Sequence, residues 1–307
     1  MAIDAIWDYF DPKEWRDRTA ASSFPPVMIA VAITGAEASK DMNPNLPVTI
    51  EEQIEAAYEA YQAGAISVHI HARNQKDTSK PVPDKDVLNK INEGIRKRCP
   101  GMIVNNSTGV GLGYTEKEKL QCLYADSKPD MASLNPCAMM FPPSKASANE
   151  ENIMPITYGD VRRAATAMKE TGVKPEIEIF YNQNWRVVEW LIHQGLLEKP
   201  YVVQLVTGSP MSCLPSIQSI FSMGDEAPKG SIIFLPGIGS YQLPANALAI
   251  IMGLHVRVGM EDNLHYRRGE LAKSSGQLVE RVVRIANELN RPVATIAQAR
   301  EMLGLAE

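Results

Sequence analysis

Two imidazoles sit two residues apart in Val68-His69-Ile70-His71-Ala72-Arg73. Far downstream, Glu261 and Asp262 close the run His255-Val256-Arg257-Val258-Gly259-Met260. Both runs have the β-branched, apolar character of strands. Side chains at i and i+2 of a strand share a face, so the rings of His69 and His71 can reach one metal ion. Two histidines and a carboxylate form a common catalytic zinc set, because three protein ligands leave a coordination position free for substrate. The chemistry this pattern points to is that of a metalloenzyme using zinc or another divalent transition metal.

The elements that must position these groups alternate regularly. Val27 to Thr34 reads as a strand, and Thr49 opens a helix with Glu52 three residues on, a capping-box pattern. Further strands are expected at Ile66–His71, Met102–Ser107, Met131–Asn135, Lys174–Phe180, Tyr201–Thr207, Ser231–Pro236 and His255–Met260. Helices are expected between them, at 87–98, from about Thr115, at 158–170, 186–194, 216–223 and 245–252, and after the last strand at 277–289. Eight strand–helix units in one composition regime predict an α/β fold, a (β/α)8 TIM barrel over residues 27–307. Parallel strands buried on both sides account for the near-continuous apolar runs. An open doubly wound sheet is the alternative, and the absence of Gly-x-Gly-x-x-Gly after the first strand counts against a dinucleotide-binding version. Residues 1–26 form an N-terminal extension carrying Trp7, Tyr9, Phe10 and Trp15. It is expected either to cover the bottom of the barrel or to reach a neighbouring subunit.

Active sites of such barrels lie at the C-terminal ends of the strands, a rule that selects positions without regard to residue type. It selects Glu37, His69, His71, Ser107, Thr108, Asn135, Glu178, Thr207, Gly237, Gly239, Glu261 and Asp262. Polar groups thus gather where catalysis should sit. A lone buried histidine is usually a hydrogen-bonded core residue, but a pair at i, i+2 on a barrel strand is better explained by a metal. Glu261 and Asp262 could instead cap the loop to the last helix, and Glu178 could belong to a buried ion pair. His255 starts its strand, at the opposite end of the barrel, and reads as structural. His193 in a helix and His265 in a loop are weak ligand candidates.

Composition narrows the class. With 45% hydrophobic and 22% charged residues over 307 positions, the chain can bury a full core. A net charge of −5 without a basic cluster argues against a nucleic-acid partner. No apolar run approaches the roughly 18 residues of a membrane span, and the first residues lack a basic signal-peptide region. Cys99, Cys122, Cys137 and Cys213 are widely spaced, as expected of reduced residues in a cytoplasmic protein.

The segments Ala32-Ile33-Thr34-Gly35-Ala36-Glu37, Leu46-Pro47-Val48-Thr49, Val68-His69-Ile70-His71-Ala72-Arg73, Met131-Ala132-Ser133-Leu134-Asn135 and Gly253-Leu254-His255-Val256-Arg257-Val258-Gly259-Met260-Glu261-Asp262-Asn263 resemble the β-keto acid cleavage enzymes, typified by the 3-keto-5-aminohexanoate cleavage enzyme of lysine fermentation. The resemblance runs from about residue 27 to the end. It implies a zinc-dependent barrel that takes a β-keto acid and the co-substrate acetyl-CoA to acetoacetate and a new acyl-CoA, and a homotetrameric assembly. By the same resemblance His69, His71 and Glu261 bind the metal. Asp262 is the base, and Arg257 orients it or steadies developing negative charge. Glu37, Ser107 and Ser133 hold the carboxylate-and-ketone end of the substrate, with Thr108 and Asn135 beside them. Glu178 is available to a substrate amine.

Two stretches depart from the family pattern. Asn135-Pro136-Cys137-Ala138-Met139-Met140-Phe141 replaces a glycine-rich loop, which bears on side-chain specificity. Gly237-Ile238-Gly239-Ser240 has serine where many relatives carry arginine, which bears on how CoA phosphates are held. Gly237 and Gly239 are still expected at the phosphate-binding place of this fold, with Arg267 and Arg268 as charge partners. In this chemistry the metal polarises the ketone and Asp262 takes a proton from the acetyl-CoA methyl group. A hydrolase of the amidohydrolase type also carries His-x-His, but on its first strand and with further histidines on strands 5 and 6, which have none here. A non-catalytic binding barrel would hold no metal tightly.

Overall fold

A computed structural model describes residues 24–140 and 152–306, with Asp11 and Lys13 as isolated positions. Eight parallel strands close into a barrel: β1 (Ile29–Ala32), β2 (Ser67–Ile70), β3 (Ile103–Asn106), β4 (Met131–Leu134), β7 (Lys174–Ile179), β8 (Tyr201–Leu205), β9 (Ser231–Leu235) and β10 (His255–Val258). Each is paired to its sequence neighbours, and β10 returns to β1 through Ile29–Val256, Ala30–Arg257 and Val31–Val258. The expected (β/α)8 architecture is therefore present, and the doubly wound sheet is excluded.

Helices α1 (Ile50–Gln62), α2 (Lys85–Arg98), α3 (Glu116–Lys119), α4 (Tyr158–Thr171), α5 (Asn184–His193), α6 (Ile217–Asp225), α7 (Gln242–Ile251) and α8 (Ser275–Glu288) occupy the connections and follow the last strand. Thr49 caps α1 in a full capping box with Glu52, as its sequence requires. The helix expected from Thr115 is a single α turn that tightens into 3-10 geometry over Leu120–Tyr124. Two short hairpins were not anticipated: β5 (Met139–Met140) with β6 (Ile153–Met154), and β11 (His265–Arg267) with β12 (Glu270–Leu271). Strands of two or three residues carry too little alternation to be read from sequence.

Strand parity sorts the barrel interior. Met28, Ala30, Ile66, Ile103, Met131, Val202 and Phe234 pack together at the bottom. A further helix among the described residues, α9 (Ile296–Leu303), presses Ala299 and Leu303 into this cluster. The bottom is thus closed by the C-terminal end of the described chain. The aromatics expected to do so, Trp7, Tyr9, Phe10 and Trp15, lie outside the described residues. His255 is at this end too, where its Nδ1 accepts from the Met28 N–H at 3.1 Å, and it is structural as expected. Towards the C-terminal ends of the strands, the inward residues become polar: His69, Asn105, Ser133, Glu176, Gln204 and Arg257, all buried.

Candidate active site

β2 delivers His69 and His71 to one side of the barrel mouth. Their Nε2 atoms are 3.2 Å apart, so the same-face argument holds at atomic distance. The Glu261 carboxylate faces both, Oε1 at 3.7 Å from His69 Nε2 and Oε2 at 3.5 Å from His71 Nε2. One ligand atom from each of the three residues lies within 4.8 Å of the others. Glu261 Oε2 and both Nδ1 atoms have no hydrogen-bond partner. Two imidazole Nε2 atoms in contact only with each other, and a buried carboxylate oxygen left unpartnered 3.5 Å from one of them, are what a divalent cation would complete. The donor set therefore fits the expected metal.

Local sequence builds this corner. Gly35 is at φ +67°, and a Cβ there would meet Glu261 Cγ at 2.7 Å, so glycine admits the carboxylate. The Gln53 amide on α1 donates to the His71 carbonyl at 3.0 Å. The buried Arg73 guanidinium donates to the carbonyls of Gly35, Ala38, Thr78 and Ser79. It fastens the loop that carries Glu37. On the other side, Gln242 and Asn246 of α7 donate to the carbonyls of Gly259 and Arg257, both at 2.8 Å. The end of β10 is held from behind.

Arg257 is the hub of the charges. Its Nε and Nη2 each reach Asp262 at 3.0 Å, Nη2 reaches Glu261 at 2.5 Å, and Nη1 lies 3.5 Å from Glu178. Burial alone would discharge this guanidinium, but Asp262, Glu261 and Glu178 together raise it well above its ordinary value. Burial would likewise raise Glu261, yet Arg257, His69 and His71 hold it well below the usual carboxylate range. Burial wins for Asp262, pushed up to about 6 with Arg257 opposing, and more strongly for Glu178, pushed up to about 8. Burial depresses His69 to about 3, so its imidazole is neutral and one of its two nitrogens is free to ligate. The capping role considered for Glu261 and Asp262 does not describe these contacts.

The remaining expected residues fall into place unevenly. Ser107 is buried, and its Oγ accepts from the Gly109 N–H at 3.0 Å. The Thr108 N–H donates to Ser133 Oγ at 3.0 Å, and Thr108 Oγ1 donates to the Ser133 carbonyl at 2.9 Å. These strand ends are tied into one polar ledge. Asn135 is buried next along it, with Oδ1 unpartnered. Glu37 is exposed on the rim; partial burial and the Glu261 charge raise its carboxyl while His71 opposes. Gly237 is required by packing, since a Cβ would meet the Tyr241 carbonyl at 2.5 Å. The Gly239 N–H is engaged by the Asp262 carbonyl at 2.7 Å. Neither glycine thus needs a phosphate to explain it. Thr207 Oγ1 donates to the Pro236 carbonyl.

Sequence reasoning missed Glu176, Asn105 and Gln204, the polar floor beneath the mouth. The signal was present in Lys174-Pro175-Glu176-Ile177-Glu178-Ile179: Glu176 shares the inward face of Glu178. It also quoted Arg73 without giving it a role.

A closed parallel barrel with histidines, carboxylates and a buried arginine gathered at the carboxyl ends of its strands is the layout of a barrel enzyme. The chain belongs to the β-keto acid cleavage enzyme family, whose model matches residues 26–305. It is 40% identical over 282 residues to the 3-keto-5-aminohexanoate cleavage enzyme of Fusobacterium nucleatum, covering 91% of this chain and 98% of that protein. It is 34% identical to the 3-oxoadipate:acetyl-CoA acetyltransferase of Cupriavidus necator, covering 91% and 95%. Among solved structures, the apo structure of ObcA aligns with a TM-score of 0.71 at 22% identity, covering 86% of this chain and 66% of that one. That likeness concerns the fold alone. The protein is an acyl-transferring, carbon–carbon bond-cleaving enzyme of the acetyl-CoA-dependent kind. Among the described residues, no helix is long and apolar enough to cross a membrane.

Proposed function

We propose that the protein is a zinc-dependent enzyme that converts a β-keto acid and acetyl-CoA into acetoacetate and a new acyl-CoA, with 3-keto-5-aminohexanoate or a related β-keto acid as substrate. The observation that carries this reading is the shared Arg257. It ties the prospective metal carboxylate, Glu261, to a second buried carboxylate, Asp262, that is free to move a proton. His69, His71 and Glu261 would hold the metal. Bound there, zinc would supply Lewis acidity for the substrate's ketone and carboxylate oxygens.

Carbon accounting assigns the proton. Acetoacetate retains the substrate's carboxylate and its adjacent C2, now joined to the acetyl carbonyl carbon. The substrate's C2–C3 bond is therefore broken, and the thiol passes from the acetyl carbon to C3. The proton to be removed is then one on C2, between ketone and carboxylate, rather than one on the acetyl-CoA methyl group. Asp262 takes that proton through the carboxylate that Arg257 fixes by its two bonds. General-base assistance of this kind contributes about 10²–10⁴-fold. Arg257 keeps Asp262 and Glu261 ionised side by side. Ser107, Ser133, Thr108 and Asn135 receive the substrate's polar end, and Glu37 closes the rim beside them.

Glu178, 3.5 Å from Arg257, is the group available to a substrate ammonium such as that of 3-keto-5-aminohexanoate, whose positive charge would oppose the burial that raises this carboxyl. Gly237 and Gly239, with Arg267 and Arg268, mark the side from which the CoA phosphates would approach. We further read the protein as a cytoplasmic homotetramer. The test is turnover of a panel of β-keto acids with acetyl-CoA, following acetoacetate and acyl-CoA together. Acetoacetate formation that depends on acetyl-CoA and disappears on chelation is expected. Turnover that survives complete metal removal would overturn the zinc reading, and no acetoacetate from any β-keto acid would overturn the reaction.

A further inference from the structure

We propose that Glu176 is the positioning residue for the metal ligand His69, receiving a hydrogen bond from Nδ1–H so that Nε2 is presented to the metal. The inference rests on the metal site of the preceding section but concerns a residue with no part in that reading.

Glu176 lies on the inward face of β7, two residues below Glu178, and is only 3% exposed. A carboxylate taken that far from water is costly unless its oxygens are engaged. One is: Oε1 accepts from the Gln204 amide at 2.7 Å. The other, Oε2, has no hydrogen-bond partner. It lies 3.8 Å from His69 Nδ1, which has none either. Two buried groups of complementary polarity thus face each other just beyond bonding distance. The opposite nitrogen of the same ring, Nε2, is turned to His71 and Glu261.

A small rotation of the imidazole about its stem would close the gap, and the pull of a cation on Nε2 supplies a reason for it. The charge on Glu176 would then fix the proton on Nδ1 and increase the basicity of Nε2. Gln204 acts in turn on Glu176, pinning Oε1 so that Oε2 points at the ring. Metal-bound histidines generally donate their second N–H to a carboxylate or carbonyl, and loss of that partner costs about 10–100-fold in metal affinity. Asn105, the register partner of His69 on β3, is close to both groups: its side chain favours the charged form of His69 and of Glu176 alike, and its Oδ1, in no hydrogen bond of good geometry, is the competing acceptor for the ring. It is neutral, and only a carboxylate would add charge to the ring.

The experiment compares wild type with Glu176→Gln, which preserves shape and removes the charge. Zinc affinity is measured by competition with a chelator, and the cobalt-substituted proteins are compared by their visible absorption. Glu176→Gln should bind zinc about 10–100-fold more weakly and show altered cobalt bands, while its metal-free form melts with that of wild type. A variant with wild-type affinity and spectrum would overturn the proposal and leave the role to Asn105. Gln204→Met provides an independent arm should Glu176→Gln not fold. It frees Oε1 without touching the charge and should also weaken zinc, and unchanged affinity there would count against the proposal. Neither readout needs turnover. A wild-type protein that binds zinc but forms no acetoacetate would therefore defeat the proposed reaction and leave this test standing.

Discussion

Arg257 and Asp262 are joined twice, Nε to Oδ2 and Nη2 to Oδ1, each at 3.0 Å, and both side chains are buried. A guanidinium fork on a carboxylate fixes the plane of the acid as well as its distance. The same Nη2 also reaches Glu261, so the prospective base and the prospective metal ligand are locked to one side chain. Disturbing that side chain should affect both, in ways that separate geometry from charge.

Arg257→Lys keeps a positive charge and loses the fork. Turnover should drop by about tenfold or more while zinc still binds, because one ammonium cannot hold Asp262 and Glu261 together. Arg257→Ala should instead be unstable by about 3–5 kcal/mol, leaving Asp262, Glu261 and Glu178 as buried carboxylates without their cation. Steady-state rates and melting curves of the two variants check this. Equal loss in both would show that the fork, not the charge, is what matters, and a lysine variant at wild-type rate and stability would show the reverse.

Asp262→Asn should retain zinc and lose about 10²–10⁴-fold in turnover, since an amide cannot accept the proton. Metal analysis and single-turnover rates on one preparation measure both quantities. Wild-type turnover would return Asp262 to a structural role and make Glu37, on the rim beside Glu261 and His71, the next base to test.

Removal of the His69 imidazole takes away one of three converging ligands. His69→Ala should therefore lose both bound metal and activity. Elemental analysis of the purified variant decides the matter, and undiminished zinc would remove His69 from the site.

Gly35→Ala probes the same corner from the backbone. The new methyl would lie 2.7 Å from Glu261 Cγ at a φ of +67°. An alanine is strained in that conformation by about 1–2 kcal/mol before any collision is counted. Lower stability and weaker zinc binding should appear together, by calorimetry and chelator competition. A variant that binds zinc as wild type does would mean that Glu261 can retreat without cost.

The barrel and its mouth were legible because their signals are local. Eight apolar runs separated by helical periodicity specify the architecture, and the i, i+2 rule alone brings His69 and His71 to 3.2 Å. Glu261 and Asp262 were read as carboxylates closing a strand, the role of Arg257 came from the family motif, and Arg257 stands within bonding distance of both. The floor was less legible. Selecting residues at strand ends takes Glu178 and passes over Glu176 two positions below, although both face inward. Gln204 and Asn105 are ordinary residues on buried strands until the register sets them beside a carboxylate and an imidazole. Arg73 gave no hint of its targets, which are carbonyls on loops at 35–38 and 78–79. The bottom plug α9 lay beyond the last strand–helix unit, where the eightfold count gave no reason to look for another helix.

The far end of the barrel carries a pH dependence of its own. His255 is buried, accepts from the Met28 N–H through Nδ1, and is depressed to about 3 by burial, with Arg291 adding to the effect. Its ordinary value in the unfolded chain is 6.5. A group whose folded value is depressed contributes stability that is complete above the unfolded value and is lost as pH falls towards the folded one. Stability should therefore decline from about pH 6.5 downwards, at a limiting slope of about 1.4 kcal/mol per pH unit from this residue. His255→Gln, which offers an uncharged acceptor, should be less stable at neutral pH and show a shallower decline between pH 6.5 and 4.5. Denaturant midpoints of both proteins across that range provide the comparison. Parallel curves would mean that the decline belongs to other groups and that His255 is protonated without cost.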